Sequence, residues 1–171
     1  MTKLIWTRME SGMWNMHLAA TEAGLCYVGT PDAPYEELEA WARKRLPGAA
    51  PARDDAAMRI YVEALDAYLH GGEVSFGIPV DLRGTDFQQS VWQELKRIPH
   101  GELCAYSDIA ERIGKPGAVR AVGLAIGANP VMIVVPCHRV VGKNGKLTGF
   151  RGGLRAKAEL LRLEGTLQGI S

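Results

Sequence analysis

Cysteine is scarce in this sequence, which contains only Cys26, Cys104 and Cys137. An odd number of cysteines with no close pair argues against a disulfide framework. No CxxC pair occurs and the four histidines are scattered, so the spacing of a zinc site is lacking as well. The sequence therefore predicts free thiols in a reducing compartment and no bound metal. Cys26 and Cys104 have apolar neighbours and are expected to pack as small core residues.

Long hydrophobic runs are lacking too. No stretch approaches the roughly 18 apolar residues of a membrane span. Residues 1–12 lack the apolar core of a signal peptide. We therefore expect a globular protein that works in the cytoplasm, without contact with a membrane.

The chain as a whole also lacks a large net charge, since its formal value is +1. The charges are nevertheless unevenly distributed. Residues 1–82 carry 7 Lys/Arg and 12 Asp/Glu, whereas residues 83–171 carry 13 Lys/Arg and 7 Asp/Glu. The second half is therefore the better candidate for contact with a polyanion. A domain of this size can also reach such a charge without binding nucleic acid, so charge alone leaves both interpretations open.

The first half mixes strand-like and helical patterns, which is typical of a small α/β domain. Short or alternating apolar runs predict strands, and longer segments with one apolar face predict helices. The predicted strands are 3–7, 14–20, 25–29 and 74–80, and the predicted helices are 34–46 and 54–70. We expect this domain to span residues 1–82 and a second domain to span residues 83–171.

The second half predicts helices with little sheet. Asp86 and Gln89 have the spacing of a capping box and predict the start of one helix. Ser107 is expected to cap a short helix, and a turn at 114–117 separates it from another helix at 118–128. Two short helices joined by such a turn are typical of a helix-turn-helix, whose second helix enters a DNA groove. A helical hairpin packed on its neighbours has the same pattern, and the residues alone leave both open.

Cys137 occupies the most informative segment of the chain. An apolar run, residues 131–135, leads almost directly to this cysteine. Burial on both sides would raise the pKa of the thiol and make it inert. The neighbouring His138 and Arg139 would instead favour the thiolate, which is the nucleophilic form. On these residues alone, a core cysteine and a catalytic cysteine both remain open.

Residues 136–140 have the sequence PCHRV, which resembles the signature of the O6-alkylguanine-DNA alkyltransferases. Further matches fall at the spacing of that family: Tyr106, residues 120–123, Asn129 with Pro130, residues 152–154 and residues 163–165. The resemblance covers residues 87–165 strongly and the first half more weakly. It implies a small ribonuclease-H-like sheet with helices in the first domain. It implies a mainly α, winged-helix-like second domain that contains the helix-turn-helix.

The resemblance assigns the chemistry to three residues. Cys137 would attack the alkyl carbon on O6 of guanine, and guanine would leave. His138 would take the thiol proton through a bound water, and Glu164 would hold and polarise His138. Glu164 would lie on a helix whose predicted buried residues are Leu154, Ala158 and Leu161. Because the thioether product is not readily hydrolysed, the resemblance implies one irreversible turnover without a cofactor.

The resemblance also implies that the damaged base is flipped out of the duplex, because its O6 substituent cannot be reached inside the stack. Arg120 would fill the gap, Tyr106 would donate a hydrogen bond to N3 of the base, and Asn129 would tie the recognition helix to the catalytic loop. The candidate DNA-binding residues are Arg120, Ala121, Gly123, Ser107 and Lys115. The expected partner is double-stranded DNA that contains O6-alkylguanine, chiefly O6-methylguanine.

The expected substrate pocket combines a lid at residues 148–153 with residues near the nucleophile. Its candidate residues are Tyr106, Met132, Val140, Phe150, Arg151 and Gly152. By resemblance, backbone groups of Cys137 and Val140 would recognise the N2 amine of guanine. Arg151 departs from the family pattern, in which a small residue is common. It is expected either to reach solvent and a DNA phosphate or to narrow the pocket against bulky alkyl groups.

Three other functions share part of this pattern. A non-catalytic sensor of alkylation damage would have the same fold, but the presence of Cys137, His138 and Glu164 argues against it. A transcription regulator would need a further domain, for which the chain has no room. A cysteine hydrolase would need an oxyanion hole, which we cannot identify in the sequence. The leading hypothesis is therefore direct-reversal DNA repair by a monomer.

Overall fold

A computed structural model describes residues 2–71 and 76–166 of the chain. Contacts divide the chain into two compact units, Met1–Arg83 and Gly84–Ser171. The first unit combines strands with helices, whereas helices dominate the second.

The first unit is built on a four-stranded sheet in the order β3-β2-β1-β4. Its strands are β1 (Ile5–Met9), β2 (Met16–Thr21), β3 (Gly24–Val28) and β4 (Ala52–Arg53). β1 and β3 both pair antiparallel with β2, and β4 pairs parallel with β1. Every residue of β2 and β3 is buried. This burial explains why their sequences are apolar almost throughout, as is typical of strands covered on both faces.

Two helices accompany this sheet, α1 (Tyr35–Arg45) and α2 (Arg59–Leu69). α1 lies within one residue of the predicted bounds at each end. α2 begins about five residues later than predicted, because Asp54 caps a turn instead of starting the helix. Its carboxylate accepts a hydrogen bond from the Ala57 N–H at 3.0 Å. The main core cluster consists of Leu4, Ala19, Cys26, Tyr27, Leu38, Ala42 and Leu46.

Only residues 76–80 of the alternating run at 74–80 are described, and they do not form the predicted strand. Residues 76–79 have no regular secondary structure. Val80 forms a single bridge with Leu25, and the Leu25 N–H donates to the Pro79 carbonyl at 2.9 Å. Pro79 has no N–H to continue a ladder, which limits the pairing to this short stretch.

The second unit begins with three packed helices: α3 (Asp86–Leu95), α4 (Tyr106–Arg112) and α5 (Val119–Gly127). The indole N–H of Trp92 in α3 donates to the Ala125 carbonyl of α5 at 2.8 Å. Residues 113–118 connect α4 to α5, so the predicted helix-turn-helix is present with a longer connection than expected.

Both predicted caps in this unit are wrong by one or two residues. Thr85, not Asp86, caps α3, and it exchanges hydrogen bonds with Gln88 at 2.9 and 3.1 Å. α4 begins before Ser107, which lies in its first turn. The side chain of Asp108 accepts from the Ala105 N–H at 2.8 Å and thereby completes the start of that helix.

A parallel pair connects β5 (Cys104–Ala105), just before α4, with β6 (Val140–Val141). The last element is α6 (Leu154–Leu163). α6 buries Ala156, Lys157, Leu160 and Leu161. The prediction that Leu154 is buried is wrong, since it is 51% exposed at the first helical position. The predicted fold class, an α/β domain followed by a mainly helical one, is confirmed. Among the described residues, no helix is long and apolar enough to cross a membrane.

Candidate active site

Cys137 begins a short 3-10 turn, Cys137–Arg139, and its side chain is buried. The apolar run before it is a loop rather than a regular strand, with one isolated bridge between Met132 and Val135. Ile133 has a φ of 77° in this loop. A β-branched residue is strained in that region by about 1–3 kcal/mol, and such strain often occurs beside functional residues. The backbone that leads to the thiol is therefore held in one conformation by its surroundings.

Asn129 provides part of that restraint. Its side-chain N–H donates to the Val135 carbonyl at 2.9 Å, and its side-chain oxygen accepts from the Val131 N–H at 3.0 Å. Asn129 lies just beyond the end of α5 and is almost completely buried. The geometry thus joins the end of the predicted recognition helix to the loop that carries Cys137.

His138 and Glu164 are both buried, and His138 Nε2 lies 2.9 Å from Glu164 Oε2. Glu164 caps the C-terminus of α6, so the helix places its carboxylate beside the 3-10 turn. Burial lowers the pKa of His138, whereas the hydrogen bond and charge of Glu164 oppose that shift. A neutral imidazole that donates from Nε2 to a carboxylate keeps Nδ1 as its basic nitrogen.

Arg139 binds the same carboxylate and was not predicted to do so. Its Nε donates to Glu164 Oε1 at 2.8 Å, and its Nη2 donates to Oε2 at 2.7 Å. Its Nη1 donates to the Ile98 carbonyl at 2.6 Å. The sequence contained one signal of this arrangement, because Arg139 lies in a largely apolar segment, 131–141, where a buried arginine needs a partner. Arg139 therefore holds the Glu164 carboxylate through both of its oxygens, one of which also contacts His138.

The pKa of the Cys137 thiol is raised by burial. A hydrogen bond with Asn129 and the positive charges of Arg151 and Lys157 act in the opposite direction. The thiol is thus protonated at rest, and it has to lose its proton before it can act as a nucleophile. A neighbouring base is the group that such a thiol requires.

Lys157 is a second buried residue that sequence reasoning missed. Its side chain is fully buried on α6, and burial lowers its pKa to about 8. Nζ donates to the Val140 carbonyl at 2.6 Å and to the Thr148 carbonyl at 3.2 Å. Its position on the same helical face as Leu160 and Leu161 was the available signal. Lys157 therefore connects β6 with the start of the predicted lid.

The candidate pocket residues differ in their burial and contacts. Met132 and Val140 are fully buried. The Tyr106 hydroxyl lies 2.7 Å from the Thr148 hydroxyl. A Cβ on Gly152 would lie 2.7 Å from the Phe150 ring, so this ring packs directly over the glycine.

Arg151, which is expected either to reach solvent and a DNA phosphate or to narrow the pocket, donates hydrogen bonds to two backbone carbonyls. Its Nη2 donates to the carbonyls of Asn129 and Pro130, both at 3.3 Å. The side chain thus connects the lid to the segment between α5 and the catalytic loop. Its positive charge acts to lower the pKa of the Cys137 thiol, against the larger effect of burial.

The candidate DNA-binding residues lie on and beside α5. Arg120 and Ala121 are exposed, and Gly123 is half-buried with room for a Cβ 3.9 Å from the Tyr106 ring. Ser107 is half-buried in α4, while the ammonium of the exposed Lys115 lies 5.3 Å from the centre of the Phe87 ring. Leu124 is also on the exposed side of α5, with 73% of its surface accessible, and sequence reasoning did not identify it.

The other two cysteines lack this environment. Both are buried, and burial raises the pKa of Cys26 to about 12. Cys104 accepts a hydrogen bond from Arg112 Nη1 at 3.2 Å. No group of three or more potential metal ligands occurs among the residues that the structure describes.

Family models cover nearly the whole chain. Residues 4–82 match the model for the ribonuclease-like domain of 6-O-methylguanine DNA methyltransferase, and residues 86–166 match the model for its DNA binding domain. The inducible methylated-DNA–protein-cysteine methyltransferase of Bacillus subtilis (strain 168) is 52% identical over 161 residues. That alignment covers 94% of this chain and 90% of the relative.

Solved structures from Mycobacterium tuberculosis are similar over almost the same length. Its O6-methylguanine methyltransferase superposes with a TM-score of 0.81 at 42% identity, covering 94% of this chain and 92% of the other. A structure of M. tuberculosis OGT in complex with DNA gives a TM-score of 0.80 at 38% identity, covering 99% and 96%.

Proposed function

The chain belongs to the 6-O-methylguanine DNA methyltransferase family, and on this premise we propose that Cys137 is its acceptor thiol. The protein is a methylated-DNA–protein-cysteine methyltransferase, an enzyme that repairs alkylated DNA by direct reversal. One observation carries the choice of thiol. His138 follows Cys137 in the same turn and contacts the Glu164 carboxylate at 2.9 Å in a buried environment. A nucleophile beside a base that is oriented by a third group is the arrangement used for covalent catalysis.

In the proposed reaction, His138 accepts the proton of the Cys137 thiol through a bound water. Glu164 and its partner Arg139 hold the imidazole in place, and the carboxylate stabilises the imidazolium that forms. The thiolate attacks the sp³ carbon on O6, so that the S–C bond forms while the C–O bond breaks. The electron pair of the broken C–O bond passes to the guanine ring. The ring takes up a proton from water while the imidazolium returns its proton to water, so that unmodified guanine and neutral His138 result. Tyr106 assists by donating a hydrogen bond to N3.

The substrate base has to leave the duplex before this step. We propose that α5 enters the DNA groove, because its exposed residues near the start include Arg120 and the small Ala121. Arg120 would occupy the gap left by the base, while Gly123, Ser107 and Lys115 would lie along the same interface. Contacts of this kind position a protein on DNA without requiring a particular sequence.

The arrangement of the pocket supports its proposed specificity. Phe150, Met132 and Gly152 supply apolar or small surface for an alkyl group. Val140 supplies backbone groups for the edge of guanine. Arg151 joins the lid to the Asn129 segment, which favours methyl over bulky alkyl groups.

We further propose that the acceptor chemistry and the DNA contacts lie within residues 83–171, and that residues 1–82 form a separate domain. One acceptor thiol per chain is consistent with action as a monomer. Three buried, unpaired cysteines are consistent with a reducing cytoplasm.

The test is the intact mass of the protein after incubation with duplex DNA containing O6-methylguanine. A gain of one methyl group (~14 Da) that stops at one per chain is expected for the wild type. Cys137→Ser should gain nothing, whereas Cys26→Ser, a matched change at another buried cysteine, should gain the methyl normally.

The opposite result would indicate a damage sensor. If the wild-type protein binds the alkylated duplex but its mass does not change, the catalytic roles of Cys137, His138 and Glu164 are wrong. If Cys137→Ser is methylated as efficiently as the wild type, the transfer is real but the acceptor has been misassigned.

A further inference from the structure

The start of α4 and the lid are joined by a hydrogen bond that the reaction as described above does not use. The hydroxyl oxygens of Tyr106 and Thr148 lie 2.7 Å apart, although the residues are 42 positions apart in the chain. Both side chains are half-buried, so a base that enters the pocket can reach the pair.

The hydrogen-bonding capacity of a phenol determines what this pair can do. A tyrosine hydroxyl has one hydrogen to donate, and its oxygen can accept a hydrogen bond at the same time. When Tyr106 donates to N3 of guanine, it can keep its contact with Thr148 only if the threonine hydroxyl is the donor. The bound state therefore has a defined chain of donors, from Thr148 through Tyr106 to the base.

We propose that Thr148 is a positioning residue that orients the Tyr106 hydroxyl and increases its ability to donate to the base. This inference rests on the proposed role of Tyr106. Hydrogen bonds in a chain polarise one another, so a bond donated to the phenol oxygen strengthens the bond that the phenol donates. As negative charge develops on guanine during the displacement, the stronger donor lowers the barrier more than it strengthens ground-state binding.

Thr148 is itself held by two neighbours. Its carbonyl accepts from Lys157 Nζ at 3.2 Å, and the same ammonium donates to the Val140 carbonyl at 2.6 Å. A Cβ on Gly142 would lie 2.9 Å from the Thr148 methyl group, so this methyl group packs against bare backbone. With the carbonyl and the methyl group both constrained, the hydroxyl is the group left to face Tyr106.

The experiment compares four variants: Thr148→Val, Thr148→Ser, Tyr106→Phe and the double variant Tyr106→Phe/Thr148→Val. Valine has the shape of threonine without the hydroxyl, and serine keeps the hydroxyl. Two quantities are measured on duplex DNA with O6-methylguanine: the single-turnover rate of methyl transfer at saturating protein, and the affinity for the DNA. Thr166→Val is the control in the same unit. It removes a threonine hydroxyl that donates a hydrogen bond to the Leu161 carbonyl, away from Tyr106.

Thr148→Val is expected to slow transfer about tenfold without changing DNA affinity, which is the effect of losing one hydrogen bond in the transition state. Thr148→Ser should restore most of the rate. Tyr106→Phe should be slower than Thr148→Val, and adding the valine to it should cause no further loss, because Thr148 acts through the tyrosine hydroxyl. The rate at which iodoacetamide alkylates Cys137 should be the same in all variants, since that reaction needs no guanine leaving group.

Three results would overturn the inference. The first is a double variant whose transfer rate falls by the product of the two factors seen in the single variants. The second is a Thr148→Ser protein as slow as Thr148→Val, and the third is a Tyr106→Phe protein as fast as the wild type. Failure of the function itself is distinguishable, because the wild-type protein would then gain no methyl group at all.

Discussion

The two units of the chain bury different kinds of polar side chain. Among the described residues, the buried polar groups of the first unit are Thr7, His17 and Thr21, whereas those of the second are Asn129, His138, Arg139, Lys157 and Glu164. A buried neutral group needs only a hydrogen bond, but each buried charge costs several kcal/mol that its partners have to offset. A fold does not need such charges for stability. Their concentration in the second unit supports our proposal that the chemistry takes place there and that the first unit has a conventional core.

Glu164→Gln is expected to have the largest effect, because it leaves the buried guanidinium of Arg139 without its carboxylate. The free energy of unfolding should fall by about 3–5 kcal/mol, as is typical when one partner of a buried ion pair is removed. The methyl-transfer rate should fall by about 100-fold or more, since the general base loses its orienting group. Urea denaturation and single-turnover kinetics measure the two effects.

The matched control is Glu159→Gln on the same helix, whose pair with Arg162 lies at the surface. It should change neither quantity appreciably. If Glu164→Gln changed stability and transfer rate no more than Glu159→Gln, the buried charges of the second unit would have no special role.

Leu38→Ala tests the other side of the comparison. Leu38 is fully buried in the core of the first unit, so the cavity should cost about 2–5 kcal/mol of stability. The transfer rate per folded molecule should stay at the wild-type value, because no charged group of the site is touched. Leu38→Met, which nearly conserves volume, should cost less than about 1.5 kcal/mol. A loss of transfer rate in folded Leu38→Ala protein would contradict the proposed separation of roles.

Lys157 provides a pH-dependent form of the same test. Its pKa is lowered from 10.5 to about 8, so between these values the unfolded chain binds a proton that the folded protein has released. The contribution of Lys157 to stability should therefore rise with pH across this window, by about 3 kcal/mol at about 1.4 kcal/mol per pKa unit.

Chemical denaturation of Cys137→Ser and of Cys137→Ser/Lys157→Met measures this contribution, because the serine removes the titration of the thiol. The difference between the two proteins should grow from about pH 8 to 10.5. Lys44→Met, at an exposed position of the first unit, is the control. A difference that does not change with pH would mean that the ammonium of Lys157 is not destabilised by burial.

Methylation of Cys137 should produce the smallest effect. The added methyl group enters a packed, buried position, and overpacking typically costs about 1–3 kcal/mol. Hydrogen exchange should become faster in the second unit, around the 3-10 turn and α6, while β2 of the first unit keeps its protection. A methylated protein with a higher melting temperature would contradict this expectation.

The sequence predicted the elements more reliably than their ends. Most strands and helices were expected near their observed positions, because apolar periodicity follows burial directly. The predictions were wrong for the start of α2, for the cap of α3 and for the burial of Leu154. Each feature depends on which side chain at a helix end accepts a hydrogen bond from a backbone N–H, or on which one is exposed. Several neighbouring residues are suitable in each case.

The candidate site was predicted mainly through the resemblance carried by residues 136–140 and the positions around them. From the residues alone, a place for Cys137 in an inert core remained open. The roles of Arg139, Lys157 and Thr148 were not predicted, because each depends on contacts with segments distant in sequence, at Ile98, Val140 and Tyr106.

The sequence by itself determined which residues are apolar, where helices and strands are favoured and which cysteine has a base beside it. These properties are local, since they depend on neighbours within a few positions. Only the tertiary structure decided that one carboxylate serves both His138 and Arg139, and that Arg151 donates to backbone carbonyls just beyond the end of α5. Hydrogen bonds and charge pairs form within about 3 Å, and chain folding alone determines which distant groups come that close.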